Sequence, residues 1–251
     1  MYRTMKIMVR SSDDLYPYLD EIAHLTNNLY NAAMFRIRQV FTGIEKLSAQ
    51  QPITSNEQEV LQEIQDTLPL MGAAYQMPSK GKTFLSYRFL DCLLKRSKNP
   101  DYTAERLPRQ CAQQTLKQAT KDMKSFFKLL QLYKKDPGAL TGRPRIPGYK
   151  NKGGGCAFNM TNQETQILYL EDQCYLKFAK TDLRLTLGNE IPKNWRLKQV
   201  SVCPYHDVYF VNVTMDDATC AKEQKKESKR VCSIDLGVNN FAAITSAPVR
   251  C

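Results

Sequence analysis

The spacing of apolar residues changes once along this chain, and that change decides what it can fold into. Before Gly142 apolar side chains recur every three or four residues, and after it they alternate every second residue. The first period buries a stripe of a helix and the second buries one face of a strand. The chain therefore reads as an α+β protein with its helices first and most of its strands later.

One strand breaks that order. The opening YRTMKIMVR alternates Met5, Ile7 and Val9 against polar neighbours, which predicts a short half-buried strand whose partners come much later in the chain. Leu15, Leu19, Ile22, Leu25, Leu29, Ala33, Ile37 and Phe41 then predict one amphipathic helix over 12–43, capped from Ser11, Ser12, Asp13 or Asp14 and ending near Gly43. Residues 48–82 are rich in Gln, Pro, Ser and Gly, predict only a short helix at 56–66, and carry no functional signal. Further helices are predicted over 83–97 and from Pro108 to Lys135, the second stopped by Asp136-Pro137-Gly138.

The runs CAFNM, QILYL, CYLKF, LRLTL, LKQVSVC and VYFVNVT predict a small β-barrel. If the opening strand belongs to that barrel, the helical bundle is an insertion within it. Residues 216–230 are almost without apolar content and read as a solvated linker, beyond which a strand carries Asp235 into a Gly turn.

Charge narrows the partner. The 36 Lys and Arg against 25 acids leave a net charge of +11, which makes a polyanion, nucleic acid first, the natural ligand. The eight cysteines are scattered without a C-x-x-C pair, so they read as reduced thiols, mostly buried. An apolar leader and membrane-length runs are both missing, and the expected location is the cytoplasm.

Four places invite chemistry. Lys117, Lys121, Lys124 and Lys128 recur at four, three and four residues beside the apolar stripe of the last helix, as a solvated flank or as a ladder of phosphate contacts. The stretch TGRPRIPGYKNKGGG sets Arg143, Arg145, Lys150 and Lys152 among stiffening prolines and permissive glycines, with Tyr149 offering a stacking surface. It fits a basic connection and a backbone-following segment almost equally. His24, within the long helix, and His206, in a hairpin turn, have no ligand-spaced partner and read as structural. Asp235 ends a buried strand before Gly237, as a metal-binding carboxylate of an RNase H-like fold would, or as an Asp in an ordinary hairpin turn.

Taken in order, LYNAAMFRIRQ, LPRQCAQQTLKQATKDMKSFFK, GRPRIPGYK, VYFVNVT and SIDLGVNNFAAITS resemble the TnpB (OrfB) family, transposon-encoded RNA-guided DNA endonucleases related to type V CRISPR effectors. The resemblance implies a helical recognition domain (12–137) inserted in a wedge-type β-barrel (1–11 and 138–215). A linker (216–230) and the first strands of a RuvC nuclease domain (231–251) would follow. It also implies a guide RNA, target double-stranded DNA and Mg²⁺, with Asp235 matching the first catalytic, metal-binding RuvC carboxylate. The Lys117 to Lys128 row and the Arg143 to Lys150 segment fall where such proteins meet nucleic acid.

Members of that family continue with a glutamate helix, a zinc ribbon and a last aspartate, and paired metal ions need several carboxylates. The sequence is thus expected to be a truncated member that binds RNA and DNA without cutting alone. The alternatives are a nuclease-dead RNA-guided repressor and a general RNA-binding protein.

Overall fold

The computed structural model describes residues 2–170, 173–188, 191–217, 230–235 and 243–248. Strand β1 (Tyr2–Arg10) pairs antiparallel along its whole length with β7 (Val208–Asp216), from Tyr2 opposite Asp216 to Arg10 opposite Val208. The expected long-range partner of the opening strand is thereby found. Between these strands the chain forms α1 (Tyr16–Ser48), α2 (Ser55–Met71), α3 (Tyr87–Arg96), α4 (Pro100–Thr103) and α5 (Arg109–Lys135). After α5 come β2 (Phe158–Thr161), β3 (Thr165–Leu170), β4 (Gln173–Phe178), β5 (Arg184–Gly188) and β6 (Arg196–Tyr205), ahead of β7. The helices are thus inserted, in sequence, within a sheet of order β1-β7-β6-β2.

The barrel expectation needs correcting. Strands β3, β4 and β5 form their own antiparallel sheet, and among the described residues the two sheets stay open rather than closing on each other. The reason lies in the turn leaving β2. There Glu164 reaches away to the backbone of α5, and the Thr165 hydroxyl donates to the Thr161 carbonyl (2.9 Å), so the chain turns off the first sheet.

Helix α1 begins later and ends later than its apolar spacing suggests. Asp13 accepts from the Arg10 amide (2.7 Å) and spends its capping capacity on a turn, and Pro17, which has no amide hydrogen to satisfy, opens the helix. Gly43 does not end it. It lets α2 approach, for a Cβ at Gly43 would lie 3.3 Å from the Cβ of Glu57. Glu57 closes a capping box with Thr54 and binds Lys46 Nζ at 2.9 Å.

One apolar cluster runs from Leu19, Ile22 and Leu29 of α1, through Leu116 and Met123 of α5, to Phe158, Val202 and Val211 of the larger sheet. Each such side chain, fully buried, contributes about 1.5–3 kcal/mol. A separate two-stranded ribbon pairs β8 (Arg230–Asp235) with β9 (Ala243–Pro248). Among the described residues no helix is long and apolar enough to cross a membrane.

Candidate nucleic-acid interface

Helix α5 is fixed at its first turn by a residue from the β2–β3 turn. Glu164 accepts the backbone N–H of Gln110 and of Cys111 (2.9 Å for the latter), placing a carboxylate where unpaired amides and the helix dipole favour one. Cys111, Thr115, Leu116, Ala119, Met123 and Phe126 turn inward. At about 100° per residue the row Lys117, Lys121, Lys124 and Lys128 projects to the far side, and all four are exposed. The ammonium of Lys117 lies 5.0 Å above the ring of Tyr87. Among the described residues no carboxylate comes within ion-pair distance of these lysines, or of Arg143, Arg145 or Lys152.

The glycine-rich stretch is a strap laid along α1, running opposite to it. Residues 147–156 take no part in a sheet, so their carbonyls need other partners. Arg38 donates to the Pro147 carbonyl (2.6 Å) and holds its guanidinium 5.0 Å from the ring of Tyr149. The Asn31 amide takes both backbone groups of Lys150, donating to its carbonyl (3.1 Å) and accepting its N–H (2.8 Å). Asn27 donates to the Asn151 carbonyl (2.8 Å), and His24 Nε2 lies 2.9 Å from the Gly153 carbonyl. The Cys156 N–H then bonds to the Ala23 carbonyl (3.2 Å). The helical positions 24, 27, 31 and 38 share one face, which is why four separated residues can hold one extended segment. Gly155 is needed there, since a Cβ would sit 3.0 Å from Ala23 Cβ and 3.1 Å from the Tyr209 hydroxyl.

The strap, α1, α5 and β2 enclose a cleft of about 290 Å³, lined in part by Tyr30, Gln114, Gln118, Asp122, Lys150 and Asn159. Asp122 accepts from the Tyr30 hydroxyl (2.8 Å) and from Gln118 Nε2 (2.7 Å). Burial, with Asp122 beside it, pushes the Tyr30 phenol far above its ordinary range, so it remains a donor. The ammonium of Lys150 lies 4.3 Å over the Tyr30 ring. Three side-chain amides and one cation at a single opening can both donate to and accept from a planar heterocycle, which is the chemistry of base-edge recognition.

The structure therefore separates the residues expected from sequence. Lys150 enters the cleft, whereas Arg143, Arg145, Tyr149 and Lys152 lie exposed along or ahead of the strap. The α5 lysines project away from the flank that carries Gln114, Gln118 and Asp122. Sequence reasoning missed Asn27, Asn31 and Arg38, whose signal was polar residues at helical spacing within an apolar helix. It missed Gln114, Gln118 and Asn159 with no signal to find them by. His24 bridges α1 and the strap, and His206 sits exposed in the β6–β7 turn. Cys111, Cys156 and Cys174 are buried free thiols, and burial pushes Cys111 up to about 12.

Asp235 ends β8 opposite Ala243, and its side chain lies outside the described residues. Among the described residues no group of three or more His, Cys, Asp or Glu side chains could hold a metal ion, and the Mg²⁺ expected at Asp235 falls outside the side chains described. No protein-family model matches the chain, and no curated protein matches it.

Proposed function

We propose that the chain is a nucleic-acid-binding protein of the TnpB type, with the two sheets as the wedge, α1–α5 as the recognition bundle and β8–β9 as the opening of a RuvC unit. Guide RNA and target duplex DNA are the ligands of this reading. The observation that carries it is a cleft of amide side chains between helices and sheet, in a chain that also exposes seven basic residues with no carboxylate partner among the described residues. In this reading the cleft reads base edges and the basic residues take phosphates. Cutting DNA would need several carboxylates around paired divalent ions, and no such step is assigned to these residues.

The test is binding of a labelled structured RNA and of a set of duplexes differing at single base pairs, by fluorescence anisotropy across a salt series. Affinity is expected to fall steeply with salt. Gln118→Leu and Asn159→Leu are each expected to flatten the preference among duplexes, by about 1–3 kcal/mol for every base edge no longer read. Salt-independent binding, or an unaltered preference in both variants, would remove the reading.

A further inference from the structure

The link between His24 and the strap requires a particular protonation state. His24 Nδ1 lies 2.8 Å from the Asp20 carbonyl and Nε2 lies 2.9 Å from the Gly153 carbonyl. Carbonyl oxygens only accept, and a neutral imidazole has a single N–H, so it can satisfy one of these oxygens and must set a lone pair against the other. Only the imidazolium donates to both. From α1 the Asp20 carboxylate adds an approach of 3.5 Å to Nδ1, and that carboxylate is itself held by the Tyr209 hydroxyl of β7 at 2.7 Å. From the strap, the charged side chain next to Gly153 is Lys152, whose backbone is carried by the same segment.

We infer that His24 is a proton-operated latch: as imidazolium it ties the strap to α1, and on losing its proton it releases the glycine end of the strap. On either side of Gly153 the strap is otherwise held by the uncharged amides of Asn27 and Asn31 and by backbone, so His24 is its pH-sensitive rung. Release would loosen residues 152–155 between Asn31, which still holds Lys150, and the Cys156 N–H on Ala23, changing how Lys152 is presented and straining the Cys156 bond. The hydrogen bonds to the two carbonyls also raise the affinity of His24 for its proton above the ordinary value. Because the docked state has the raised value, its added stability is fully present below the ordinary pKa and is lost as pH rises through the raised one.

The test uses the protein without nucleic acid, so its outcome is independent of the proposed ligand. Long-range proton–nitrogen NMR at neutral pH is expected to show both His24 nitrogens protonated, with a titration midpoint above the ordinary histidine value. Hydrogen exchange, corrected for intrinsic rate, is expected to show protection at Cys156 falling about tenfold as His24 deprotonates, in keeping with the removal of one charge-assisted hydrogen bond. In His24→Gln that step should vanish while protection at Lys150 persists. A single-tautomer neutral His24 at neutral pH, or a protection step that survives in His24→Gln, would overturn the latch.

Discussion

Glu57 shows how one buried carboxylate can join two helices. Burial by itself would raise its pKa, yet hydrogen bonds from the Thr54 amide, Thr42 and Lys46 outweigh this and hold it at about 2. Since the folded value is lowered from 4.5, the stabilisation is complete above that pH and is lost as pH falls toward 2. Glu57→Gln is expected to cost about 2 kcal/mol at neutral pH in urea titrations and to remove this part of the acid sensitivity. The sequence held the signal in Thr54-Ser55-Asn56-Glu57, a capping box, but the composition of 48–82 masked it. Gly43 misleads for a related reason. A glycine within a helical pattern can mark an end or a close approach, and only the neighbouring helix distinguishes them.

At the scale of elements, α5 offers two separate surfaces. Its lysine row faces outward and shares no hydrogen bond with the core, so changing Lys117, Lys121, Lys124 and Lys128 to Gln should leave the melting temperature nearly unaltered. If all four meet phosphates, the slope of log affinity against log salt should fall by about 0.9 for each on duplex DNA. An unchanged slope would return the row to an ordinary solvated face. The strap depends on close approach instead, and Gly155→Val is expected to lift it from Ala23, seen as faster hydrogen exchange at Cys156 and easier labelling of its thiol. Element types and order were legible because α1, α5 and β7 have long, clean periods. The strap's path was not, because an extended segment held by side-chain amides leaves no periodicity of its own. The cleft was hidden more deeply, since Gln114, Gln118 and Asn159 become neighbours only when β2 packs beside α5.

Over the whole molecule, β1 and β7 frame nearly everything else, and the sequence foretold the pairing because Met5, Ile7 and Val9 had no nearby strand to join. The division into two open sheets was not legible, for it turns on Glu164 finding the start of α5. Removing Tyr2–Arg10 is expected to leave β7 with an unpaired edge and to cause aggregation, measurable by light scattering. The same frame has a mechanical consequence. Tyr2 lies opposite Asp216, so handles attached at residues 2 and 216 would pull on the same end of the two strands. Tension would open the pair as a zipper, one rung at a time, rather than shear all its bonds together. The helices would bear no load until Arg10 parts from Val208, and single-molecule pulling should show a low-force opening of the strands before any helical extension.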